Sequence, residues 1–247
     1  MIDNFHTFEF NGHKLSELGA VIAQRPILNV AIRDINLAEI PLHSGSLIVD
    51  NKRYKNISYK YKIRAVPSYC NLSLADFTAK ISEWLSTGNY EIYRDTYITG
   101  YYRYAVVTNI MEIQAIHKDV YETEITFSFQ PFLYSDTGAN VISLSSTNNS
   151  VSTMIINPEQ WDSEPIIKIN GSGNFSVSVG SVSFNLTGVN NYIIIDKPNE
   201  DVYDSGGSCN DKLSGLYLPT LKAGENNITI TGNNSFSVDI TPNWRRL

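Results

Sequence analysis

Cysteine is scarce, with only Cys70 and Cys209 in 247 residues. They stand far apart and neither has a CxxC-type neighbour, which excludes a disulfide framework and a cysteine-rich zinc site. Two reduced cysteines in a protein folded in a cytoplasm are expected. Histidine is equally sparse. His6, His13, His43 and His117 include no pair at helical i, i+4 spacing, so no metal site is expected. No apolar run approaches the roughly 18 residues of a membrane span. The opening MIDNFHTFEFNG lacks the basic and apolar regions of a signal peptide. A water-soluble chain made and kept inside a cell is expected, and no membrane insertion. The N-x-S/T triplets, such as those at Asn185 and Asn227, then carry no weight as glycosylation sites. A net charge of −6 argues against a dedicated nucleic-acid binder.

Catalytic motifs are missing as well. There is no GxSxG elbow, Walker loop or GxGxxG. GSGNF at 171–175 has strand-like sequence on both sides and no helix after it, so a hairpin turn is expected there rather than a phosphate cradle. The acidic run DKPNEDVYD, Asp196 to Asp204, lacks the EF-hand pattern and is expected to be a solvated loop. Neither enzyme activity nor a cofactor is expected.

What is abundant is β-forming. Fifteen Tyr and ten Phe join many Ile, Val, Thr and Ser in a chain 42% hydrophobic. Residues 1–134 carry 13 Lys and Arg against 14 Asp and Glu, whereas residues 135–247 carry 6 against 11. SDTGANVISLSSTNNSVS, residues 135–152, is a charge-poor, Ser- and Asn-rich connector that puts the boundary near Pro131 to Gly138, so two domains are expected, 1–134 and 135–247. In the first, LSLADFTAKISEWLSTG predicts a helix with Phe77, Ile81, Trp84 and Leu85 on one face. Ser73 and Asp76 fit a capping box and Gly88 a left-handed stop. Strands are expected in FHTFEFNG, YEIYRD, a long YRYAVVTNIMEIQAI, and YETEITFSFQP. The domain reads as a small α+β fold or a β-sandwich carrying a helix. The second domain shows no helical period. PIIKING, NFSVSVGS, VSFNLTG, NYIIIDK, NNITITG and SFSVDI predict a β-sandwich. Its last two strands are expected to form a hairpin, with Trp244 packed beneath it as a staple and Arg245 and Arg246 facing a neighbour; a direct intersubunit or partner contact by Trp244 is the second reading.

One stretch invites a functional reading. In DNKRYKNISYKYKIR, residues 50–64, six of fifteen residues are basic and three are tyrosines. Tyr59, Tyr61 and Ile63 alternate with Lys60, Lys62 and Arg64, as in a strand with one aromatic and one basic face. A protein–protein contact through that strand, exposed as an edge, is a second reading. Single-stranded nucleic acid stacked on the rings is a third. An intersubunit interface is expected at Tyr54, Tyr59, Lys60, Tyr61, Lys62 and Arg64.

Four stretches in order resemble the distal tail protein (Dit) family of long-tailed bacteriophages. They are FHTFEFNGHKLSELGAVI leading to IPLHSGSL; the helix ending SEWL followed by YEIYRD; TEITFSFQPFLY; and EPIIKINGSGNFSVSV through YIIIDKPNEDVY, LPTLKAGENNITITG and ITPNWRRL. The family's Pro-x-Trp-Arg ending stands here as Pro242-Asn243-Trp244-Arg245. It follows Gly224-Glu225-Asn226-Asn227-Ile228, one residue longer than usual, and His43-Ser44-Gly45 replaces a commoner arginine-glycine step. The resemblance implies a mainly β fold: an N-terminal β-sandwich with a helix and a long hairpin, the belt, then a galectin-like β-sandwich. Residues 50–64 would lie in the belt or its flank. It also implies a homo-hexameric ring joining the tail tube protein to a Tal-like tail-tip protein. Receptor-binding proteins would dock on the outer domains, and DNA would be present only in transit. The length leaves no room for an inserted arm or carbohydrate module. A carbohydrate-binding adhesion module, with Trp161 and tyrosines stacking on sugar, is the alternative.

Overall fold

The structure is a computed structural model and describes residues 5–66, 68–109, 111–117, 120–215 and 217–247. The chain divides into two compact units, one of residues 1–133 with Leu247 and one of residues 134–246.

The first unit is built on one sheet. Its strands run in the order His13–Lys14, Phe8–Phe10, Glu91–Asp95, Tyr101–Val107, Val120–Phe129, Ile57–Ala65 and Ala20–Gln24. Asn11 and Gly12 both take positive φ, which is what the two-residue turn between the first two strands demands. Ile57–Ala65 alternates buried and exposed residues along its whole length. Its inner residues meet Phe8, Phe10, Tyr93, Phe127 and Phe129 in a core of interlocked rings. Phe127 stands edge-on to Tyr61 at 5.9 Å and to Phe8 at 5.3 Å, geometries that suit the ring quadrupoles.

Helix α1, Leu74–Leu85, covers this core. Phe77, Ile81 and Leu85 are buried, and the half-buried Trp84 donates its indole N–H to the Phe10 carbonyl at 2.8 Å. Ser73 caps the helix, its hydroxyl accepting from the Asp76 amide at 3.1 Å. The helix stops at Ser86, before Gly88, whose positive φ serves the turn to the next strand instead. The expected long strand after Tyr101 is also broken, into Tyr101–Val107 and Gln114–His117.

The second unit is a β-sandwich. One sheet orders Ile142–Ser145, Ser237–Thr241, Ile166–Asn170, Tyr192–Asp196, Asp201–Asp204 and Gly207–Ser208. The other orders Ser150–Asn157, Gly224–Gly232, Gly173–Val179, Val182–Val189 and Leu213–Ser214. Two expected hairpins are therefore corrected. Gly224–Gly232 and Ser237–Thr241 lie in opposite sheets, and so do the strands flanking GSGNF. Both connections cross the sandwich at one point, where Phe175 and Phe236 meet edge-to-face at 5.2 Å. A Cβ on Gly232 would lie 2.7 Å from the Phe175 ring, so the crossing needs glycine. Alternation identifies a strand but not its partner. The acidic run at 196–204 is a tight hairpin, with Asp196 buried and accepting from Asn199.

Residues 243–246 are sewn to the start of the second unit. The Ser135 amide donates to the Trp244 carbonyl and the Asn243 amide to the Gly138 carbonyl, each at 2.8 Å. Trp244 is buried in the sandwich core. A Cβ on Gly138 would stand 2.3 Å from the Trp244 nitrogen, a backbone clash that no rotamer change relieves. Gly138→Ala is thus expected to lower the stability of this unit by about 1–3 kcal/mol. Denaturant unfolding followed by tryptophan fluorescence checks it.

Candidate functional site

Between Ile27 and Val49 lie eleven exposed large apolar side chains, against ten in all the rest of the described chain. Most sit on one element. Strands Arg33–Glu39 and Ser46–Tyr54 pair with each other and with no other strand among the described residues. Their register sets Ile35 against Asp50, Leu37 against Ile48, Asn36 against Val49 and Ala38 against Leu47. Opposed residues in an antiparallel pair share a face. One face therefore shows Ile35, Leu37 and Ile48, and the other Ala38, Leu47 and Val49. Leu37 and Ile48 are 64% and 63% exposed. A lone two-stranded ribbon is marginal in water, and its apolar faces gain nothing while uncovered.

The base of the hairpin is clamped electrostatically. Arg33 holds Asp50 through two parallel hydrogen bonds of 2.9 Å and lies over the Tyr54 ring at 5.2 Å. In the reverse direction Arg53 donates to Asp34 at 2.7 Å, with Lys55 at 3.5 Å. Hydrogen bonds from Arg33 and the Lys52 amide hold the Asp50 carboxyl below its ordinary range, and Arg53 does the same for Asp34. The Lys52 backbone adopts φ 56°, close to the register shift between Arg33 and Ile35.

The interface residues expected from sequence fall into different places. The stretch 50–64 is divided between the hairpin's return strand and the sheet strand Ile57–Ala65. That second strand lies between two neighbours and is not an edge. Tyr59 and Tyr61 are core residues, 4% and 0% exposed, so their rings are unavailable to a partner or a base. Tyr61 donates to Asp95 at 3.0 Å, and Tyr59 donates to the Asn29 carbonyl at 3.0 Å. Burial drives the Tyr61 hydroxyl pKa well above its ordinary value. Tyr54 packs edge-on to Phe132 at the hairpin base.

Lys60, Lys62 and Arg64 do point outward, but Val120–Phe129 faces them with carboxylates. Lys60 meets Glu124 and Lys62 meets Glu122, each at 3.0 Å, and Arg64 also binds Glu122. The basic run is thereby largely neutralised, and the nucleic-acid reading loses both its rings and its charge. Arg245 grips Glu164 and the Asp162 carbonyl within its own unit. Arg246 is half-buried in the short strand Arg245–Arg246, and Trp161 is half-buried beside Asn157. Among the described residues, no group of three or more His, Cys, Asp or Glu could hold a metal ion.

The apolar hairpin was missed in the sequence although its signal was present. Leu47, Ile48 and Val49 are consecutive, so a strand through them must show apolar side chains on both faces.

No protein-family model and no curated protein matches this sequence. Solved structures do match. The Dit protein of phage SPP1, described as a paradigm of the hub adsorption apparatus in phages infecting Gram-positive bacteria, superposes with a TM-score of 0.67. The alignment covers 98% of this chain and 99% of that one at 13% identity. A chain of the phage p2 baseplate in its activated conformation with Ca matches at TM-score 0.53 and 9% identity, over 95% of this chain and 97% of that one. At such identities the likeness establishes the fold. The chain has a mainly β fold like that of the SPP1 Dit protein.

Two predictions follow from the strand at the centre of the first unit. Tyr61→Ser removes a fully buried ring and is expected to cost about 3–5 kcal/mol, measured by thermal unfolding. Glu122 is buried, which alone would raise its pKa, but hydrogen bonds from Lys62 and Arg64 outweigh this and lower it. Its contribution is present above the ordinary value of 4.5 and is lost as pH falls through the lower folded value. Glu122→Gln is therefore expected to destabilise the protein at pH 7, with the gap from wild type closing on acidification in a pH series of urea melts.

Proposed function

We propose that this chain is a non-catalytic structural hub of a phage, prophage or tailocin tail tip. Copies assemble as a closed ring of six through the first unit, with the 33–54 hairpin laid across the next copy. The observation that carries this is the two-faced apolar hairpin, which a folded monomer leaves bare. The Dit-like fold supports it. A ring repeats one heterologous contact until the rotation closes, so a projecting element and a receiving surface must occur on one chain. Lys60, Lys62, Arg64 and Arg246 are assigned to the polar parts of such contacts.

On this reading the ring joins the tail tube protein to a Tal-like tail-tip protein. The second unit, a galectin-like sandwich, faces outward and docks receptor-binding proteins. DNA meets the ring only in transit. The protein works in the virion after assembly in the host cytoplasm.

Leu37→Asp with Ile48→Asp places charge on the apolar face of the hairpin without touching either core. Burying two such side chains is worth roughly 1.5–3 kcal/mol each. Self-association is expected to weaken on the order of 1,000-fold while the melting temperature holds. Light scattering and negative-stain electron microscopy of wild type and variant test it. Equal association by the two would remove the hairpin from the interface.

A further inference from the structure

The tip of the hairpin carries an anomaly. Residues Ile40–His43 form a turn closed by the His43 amide on the Ile40 carbonyl at 3.2 Å. Pro41 fixes the second position and Leu42 takes the third with φ 64°. This is the type II pattern, whose third position ordinarily holds glycine or asparagine because a Cβ is strained there. Leucine stands there instead, with its side chain fully in solvent. A strained backbone around an unused apolar group stabilises nothing in the monomer, and outliers of this kind point to function.

The same unit carries a matching cavity. A recess of about 410 Å³ lies between the strand His13–Lys14 and helix α1, with Leu18 and Trp84 as its apolar lining. Lys14, Lys80, Glu17 and Glu83 stand around it with Asn11, His13 and Thr87, and His13 lies 3.3 Å from Glu17. That volume falls within the roughly 300–1,000 Å³ of ligand-sized pockets and admits a leucine with its flanking backbone. The tip has complementary character: Glu39 suits the rim lysines, while Pro41 and Leu42 suit the lining. Because Leu42 is wholly exposed, it does not occupy the recess of its own copy.

We infer that Leu42 is the knob of a knob-and-socket contact, seating in the Leu18–Trp84 recess of a second copy of this chain. This rests on the ring assembly proposed above and names the residues that would set its spacing. A knob and a socket at separate places on one chain make a heterologous contact, the kind that closes into rings.

Leu42→Gly separates this contact from folding. Glycine relieves the turn, so the monomer is expected to melt no lower than wild type, while self-association weakens roughly 10- to 100-fold. Glu83→Trp, at an exposed helix position, fills the socket and is expected to weaken association similarly. Leu42→Cys combined with Glu83→Cys is expected to give a ladder of covalent oligomers on oxidation, with cysteines 70 and 209 buried and silent. Rings that form unchanged with Leu42→Gly, together with no ladder, overturn the socket and leave the ring standing. Absence of any oligomer from wild type at high concentration overturns both.

Discussion

The strand Ile57–Ala65 has one register open to it. Tyr59, Tyr61 and Ile63 alternate with Lys60, Lys62 and Arg64, and a slip by one residue would bury three cations and expose three large apolar groups. That asymmetry organises the first unit. The rings inside gather Phe8, Tyr93, Phe127 and Phe129 and receive helix α1. The cations outside require Glu122 and Glu124 on the adjacent strand. A stretch that reads as a functional patch in isolation is, once paired, the keel of the domain. Its interest for partners lies in what it supports.

What it supports is the hairpin that precedes it. Arg33, Asp34, Asp50 and Arg53 tie the two strands at their base, while the ribbon beyond shows apolar side chains on both faces. The fold thus stiffens an element it does not cover. Stable monomers seldom leave such a surface bare, because exposed apolar patches promote association. The fold likeness rests on backbone geometry and the bare ribbon on side-chain exposure, so the two observations are independent.

Periodicity made some of this legible. Helix α1 and its serine cap were readable because a 3.6-residue apolar period and a capping box are local signals. The strands of the second unit were readable from alternation. Pairing was not. SFSVDI and NNITITG look like hairpin arms, yet they belong to opposite sheets, because the choice depends on Phe236 and Phe175 meeting across the sandwich. Tyr59 and Tyr61 show the same limit for function. Interleaved rings and cations are equally compatible with a binding face and a half-buried strand, and only the neighbouring Glu122 and Glu124 decide between them. The apolar ribbon was overlooked for a different reason: consecutive apolar residues resemble core, and exposure is a tertiary property.

The joining of residues 243–246 to residues 135–138 bears on how the second unit is made. Its opening segment and its closing segment lie side by side, and Trp244 completes the core. During synthesis at about 5–20 residues per second, the first unit has all of its strands some seconds earlier. The sandwich cannot close until residue 246 has emerged. The first unit is thus free to fold before the second, and its uncovered ribbon is exposed to neighbouring nascent chains while the second unit is unfinished. Loss of residues 243–246 would leave the first unit able to fold while the sandwich lacks Trp244 and cannot shut.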